Sequence, residues 1–143
     1  MLGDLGLSLT LAAVGSAMGT GVAGMSAIGV WKKAYLENKA APFIIIAFVG
    51  APLTQTIYGL ILRNAIFDVN WAEQVDNPLL PVILGAAAGI AMGFSAFFQG
   101  KAGARASDAL GETGEGFGNY IIVVGIVETV ALFVMVFSMI ALP

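Results

Sequence analysis

The sequence predicts an all-α membrane protein: four transmembrane helices forming two tandem hairpins, assembled in a closed ring. Two observations carry the helical membrane fold. Of 143 residues, 59% are hydrophobic and 10% are charged, and the mean hydropathy is +0.93. A water-soluble domain of this size cannot bury so much apolar surface, so the solvent is lipid. The chain also divides into four apolar stretches, each matching the roughly 20 residues needed to cross a hydrocarbon core of about 30 Å. Strand-like alternation is absent and 19 residues are glycine, which favours a helical bundle over a barrel.

The first hairpin unit is expected over residues 1–70, with helices over about 5–34 and 42–67. The first helix lacks a basic leader region and is too long for a signal-peptide core, so it is read as a mature span. Its connector, Lys32 to Lys39, is short and basic. An acidic external connector follows at 71–78, continuing the run that begins at Asp68. The second unit, 79–143, holds helices over about 79–109 and 117–142, joined by Gly111-Glu-Thr-Gly-Glu-Gly116. Connectors of this length make antiparallel neighbours. Lys32, Lys33, Lys39, Lys101 and Arg105, five of the six basic residues, flank the first and third connectors. An excess of Lys and Arg marks the cytoplasmic face, so both hairpin tips are expected there and both termini opposite. Arg63 lies towards the other side and is expected to snorkel to that interface.

The two units look like copies. Gly24-Met-Ser-Ala27 matches Gly93-Phe-Ser-Ala96, and Gln55 can be laid on Glu128 with Thr56 on Thr129. Gly15/Gly19 and Gly85/Gly89 have the spacing that lets helix backbones touch. Small residues line the first and third helices in more positions than one neighbour requires. That pattern suits a narrow inner wall, with the bulkier second and fourth helices outside, in a cyclic oligomer.

Chemistry concentrates at Glu128, a lone carboxylate inside the last apolar span. An acid near the midplane costs about 2.5–3.5 kcal/mol on the gentlest scale, so it reads as an ion or proton site. Thr54, Gln55, Tyr58, Gln99 and Thr129 are the other notable intramembrane polar residues. Counted from the hairpin tips at about 1.5 Å per residue, Glu128, Gln99, Thr54 and Gln55 fall roughly 16–20 Å from one face. The set is all oxygen, as a hard cation requires. Pro52 removes a helix donor and frees carbonyls nearby. Tyr58, one turn beyond Thr54, is placed to donate to the carboxylate. Histidine and cysteine are absent, which leaves zinc chemistry and hydrolysis without their usual groups. A net charge of −3 gives no footprint for nucleic acid.

Pro52-Leu-Thr-Gln-Thr-Ile-Tyr-Gly59, Phe98-Gln-Gly-Lys101, Gly125-Ile-Val-Glu-Thr-Val130 and the Gly-rich first helix together resemble the duplicated rotor-ring subunit (proteolipid, K or c subunit) of V-type ATPases. The resemblance covers essentially the whole chain. It implies a non-catalytic subunit that carries one ion per turn while ATP is hydrolysed elsewhere; this chain has no phosphate-binding loop of its own. It further implies identical subunits in a ring, a stator subunit supplying an arginine, and central-stalk subunits. The ion-binding carboxylate falls on Glu128. The sodium-type ligands fall on Gln99, Gln55, Thr54 and the Ala51 backbone carbonyl, with Tyr58 bonded to the carboxylate. Ala51 departs from those members in side chain. The resemblance therefore implies Na⁺ more than H⁺. Two rival classes are a small proton-coupled four-helix exporter, whose carboxylate usually lies near the start of the chain, and a scaffold using Glu128 only as interhelical glue.

Overall fold

The computed structural model describes residues 3–143, so the first two positions of the expected first hairpin unit lie outside the described residues. Among the described residues, four helices are long and apolar enough to cross a membrane: α1 (Leu7–Leu36), α2 (Phe43–Asp68), α3 (Leu80–Thr113) and α4 (Phe117–Ile140). They run up and down as two hairpins, α1–α2 and α3–α4. The first and third connectors lie at one end, here the tip end. The second connector lies at the other, terminal end, as do the start of α1 and the end of α4.

Each boundary has a local cause. Before α1, the Asp4 carboxylate accepts the backbone N–H groups of Gly6 and Ser8, both at 2.9 Å, and the Ser8 hydroxyl at 2.5 Å. These bonds satisfy donors that a helix start leaves orphaned. At the tip of the second hairpin, Gly114 and Gly116 adopt φ of 71° and 89°, the left-handed region open to glycine. The Gly114 N–H donates back to the Leu110 carbonyl at 2.8 Å, closing α3.

Three boundaries differ from expectation. α3 continues to Thr113, so Gly111, Glu112 and Thr113 are helical and the turn shrinks to 114–116. Helix hydrogen bonding persists there because the true stop is the left-handed glycine, not the first glycine met. The acidic connector contains a helical turn, Trp71–Gln74. Trp71 folds inward, 2% exposed, and its indole N–H donates to the Ile66 carbonyl at 2.7 Å. α2 is not uniform: short 3₁₀ stretches occupy Phe43–Ile45 and Ala51–Leu53, the second holding Pro52. Proline cannot donate to the turn before it, so the helix tightens locally.

The small residues are largely used inside one chain. A Cβ on Gly15 would strike the backbone of Gly93, and one on Gly100 would strike the backbone of Gly19. Gly59 lies against Ser8 and Ala12, and Gly89 against Leu7 and Leu11. α1 is thereby sunk against both α3 and α2. More than one neighbour is thus served, but within a single chain. Gly21 and Gly29 of α1 remain open, with nothing within 4 Å of where a Cβ would stand.

Two apolar layers fill the bundle. At the terminal end, Leu62, Ile66, Trp71, Met92, Ala131 and Met135 pack together. At the tip end, Ile45, Phe48, Ala106, Leu110 and Val124 do so, with Phe117 and Tyr120 against them. Polar side chains gather between the layers.

Candidate ion site

α2, α3 and α4 all deliver polar groups to the gap between the apolar layers. From α4, Glu128 presents its carboxylate, half-buried. The Tyr58 hydroxyl of α2 donates to its Oε1 at 2.8 Å. Gln99 Nε2 of α3 donates to its Oε2 at 3.0 Å and to the Val124 carbonyl at 3.1 Å. Behind them, Gln55 Nε2 donates to Gln99 Oε1 at 2.7 Å. Both glutamine side chains are fully buried. Amides buried in an apolar bundle must find partners for their polar groups, and one bond between these two links the pair.

Thr54 and Ala51 complete the mouth. The Thr54 hydroxyl lies 3.0 Å from the Ala51 carbonyl and 3.2 Å from Gln55 Oε1, sharing its one proton between them. The Ala51 carbonyl also accepts the Thr54 N–H, a 3₁₀ bond set up by the turn through Pro52. Ala51, Thr54, Tyr58 and Glu128 are all partly exposed, while Gln55 and Gln99 form the closed back wall. The site therefore opens sideways from the bundle.

All six residues expected at the ion site are thus neighbours. Thr129 is not among them: its hydroxyl donates to the Gly125 carbonyl one turn back, at 2.9 Å. One member escaped the sequence reading. Ser95 of α3 donates to the Val127 carbonyl at 2.8 Å and accepts a longer bond from Gln55 Nε2 at 3.5 Å. It lies four residues before Gln99, on the same helix face, and that spacing was the available signal.

Arg63 stands apart from the site. It donates to Asn64 Oδ1 at 3.0 Å and lies over the Phe67 ring at 5.0 Å.

Carboxylate, amide, hydroxyl and backbone oxygens around one lateral opening form a site suited to a small hard cation or a proton. Residues 82–141, which carry Gln99 and Glu128, match the family model for the ATP synthase C subunit. Over 128 residues, covering 90% of this chain, the sequence is 33% identical to the A-type ATP synthase subunit K of Methanocaldococcus jannaschii. The chain spans about half (54%) of that relative's length. Four apolar helices, a membrane carboxylate on the last of them and these two likenesses agree: the second hairpin matches the ATP synthase C-subunit family of membrane proteins, and most of the chain is similar to an A-type subunit K.

Proposed function

We propose that this chain is a rotor-ring subunit of a V/A-type ATPase and carries one Na⁺, or alternatively H⁺, per subunit on Glu128. The subunit is non-catalytic: it moves the ion, and ATP is hydrolysed by other chains. Its partners are copies of itself in a ring, a stator membrane subunit supplying an arginine, and central-stalk subunits. Both hairpin tips face the cytoplasm, as the excess of Lys and Arg around them indicates.

The observation that carries the proposal is the site's position. Glu128 lies between two apolar layers and is partly exposed only at the side, with its amide partners buried behind it. An exporter needs an aqueous route along its own axis on each side in turn; here both axial routes are packed with side chains. A rotor needs only lateral exchange with a second subunit.

The mechanism follows from charge. Ionised and empty, Glu128 is penalised against lipid. Na⁺ bound by its carboxylate and by the oxygens of Gln99, Gln55, Thr54 and Ala51 neutralises it, and a proton does the same in the absence of Na⁺. Tyr58 steadies the carboxylate throughout by donating to Oε1. The neutral subunit then crosses the lipid-facing arc, and the stator arginine displaces the ion into an aqueous path. Each charge moved against 100 mV costs about 2.3 kcal/mol, which the external motor supplies.

Carbodiimide modification of Glu128 tests the proposal. Labelling of the assembled protein should be slow with Na⁺ present and faster without it. Labelling that follows pH but ignores Na⁺ would leave the proton form and remove the sodium one. Failure of Glu128 to react under either condition would remove both.

A further inference from the structure

The Gln55 amide raises a problem that its own helix does not solve. To ligate a cation it must present Oε1; turned by half a rotation it would present an NH₂ group and repel the ion. Nothing in the covalent structure distinguishes the two poses, so its hydrogen-bond partners must.

Those partners fix the choice. Nε2 carries two N–H groups and has two acceptors, Gln99 Oε1 at 2.7 Å and Ser95 Oγ at 3.5 Å. The Ser95 hydroxyl spends its own proton on the Val127 carbonyl at 2.8 Å, so towards Gln55 it can only accept. Oε1 is left on the side of Thr54, 3.2 Å from its hydroxyl. We propose that Ser95 is a positioning residue for cation recognition. Together with Gln99 it holds both N–H groups of Gln55 away from the ion and keeps Oε1 turned towards it. This rests on the rotor-site reading of Glu128.

The matching serine of the first hairpin supplies a contrast. Ser26 donates to Asp108 at 2.6 Å and lies 2.9 Å from the Ala104 carbonyl, fastening α1 to α3 with no amide in attendance. Ser95 makes an equivalent fastening bond to α4 at the residue just before Glu128. It alone of the pair also faces a ligand amide.

The consequence is selective. Sodium binding needs the Gln55 oxygen; protonation of Glu128 does not. In the assembled protein, Ser95→Ala should raise the Na⁺ concentration that half-protects Glu128 from carbodiimide by roughly 10-fold or more, as loss of a ligand's supporting contact does. The pH at half-labelling without Na⁺ should stay close to its unsubstituted value. Ser95→Thr, which keeps the hydroxyl, should restore sodium protection. Combining Ser95→Ala with Gln55→Ala should add little to Gln55→Ala alone.

If Ser95 only fastens α4, its loss displaces the carboxylate itself. Sodium and pH midpoints would then move together and the two substitutions would add, which would overturn the assignment. Should Ser95→Ala fail to assemble, Ser95→Cys, similar in size but a weak acceptor, makes the same comparison. Absence of sodium protection in the unsubstituted protein would overturn the rotor reading's sodium form, and this assignment with it.

Discussion

At the scale of single residues, Glu128 combines a charge that opposes folding in lipid with the only carboxylate of the ion site. These two consequences separate experimentally. Glu128→Gln keeps the shape and removes the charge, with one amide oxygen left to accept from Tyr58 or Gln99. The substituted protein should assemble and unfold at the same temperature or higher, since an ion costing about 2.5–3.5 kcal/mol in hydrocarbon is gone. Sodium-protected labelling and ion-coupled ATPase activity should fall to background. A marked drop in thermal stability would instead show that the acid serves mainly as interhelical glue. The principal polar groups of the candidate site were legible because an acid, two glutamines and a threonine stand out in apolar sequence. Ser95 was not, because a serine in a membrane helix often bonds its own backbone, as Ser107 does to Gly103 at 2.9 Å, and only the facing helix distinguishes the cases.

At the scale of helices, what matters is how closely backbones approach. α1 and α3 meet through Gly15 against Gly93 and Gly19 against Gly100, a contact that no side chain beyond hydrogen permits. Gly100→Ala must push the helices apart or distort them. Overpacking of this kind costs about 1–3 kcal/mol, and thermal unfolding in detergent should read it as a lowered midpoint. α3 is also longer than its apolar run suggested. At about 1.5 Å per residue its 34 residues reach roughly 50 Å, well beyond the hydrocarbon core of about 30 Å. Its tip-end turns therefore stand outside the membrane, where Arg105 and Glu112 are solvated. The sequence could not mark that end, because Gly111 and Gly114 look alike in composition and only a positive φ separates them.

At the scale of the whole molecule, the open glycines bear on assembly. Among the described residues, no other helix comes within 4 Å of where a Cβ on Gly21 or Gly29 would stand, and large apolar side chains such as Met25 and Ile28 are exposed beside them. On the proposed ring, a neighbouring copy packs there. Mass measurement of the detergent-solubilised protein should find a closed assembly of many copies; a dimer would favour the exporter class instead. Gly21→Leu should leave the single subunit helical and folded while reducing the share of intact rings. Intact rings at unchanged yield would remove this face from the subunit interface.

Composition by itself determined the solvent, the number of spans and their pairing, because hydrophobic length and short polar connectors leave few alternatives in a bilayer. It also determined which residue types could bind an ion and roughly at what depth, since helical rise converts residue number directly into height. Only the tertiary structure decided which way each group turns. It placed Gln55 and Gln99 at the closed back of the site, Tyr58 and Glu128 at its open side, Thr129 outside it and Ser95 within it. Rotation about a helix axis depends on packing against neighbours, and here the glycine contacts of α1 and α3 set that packing.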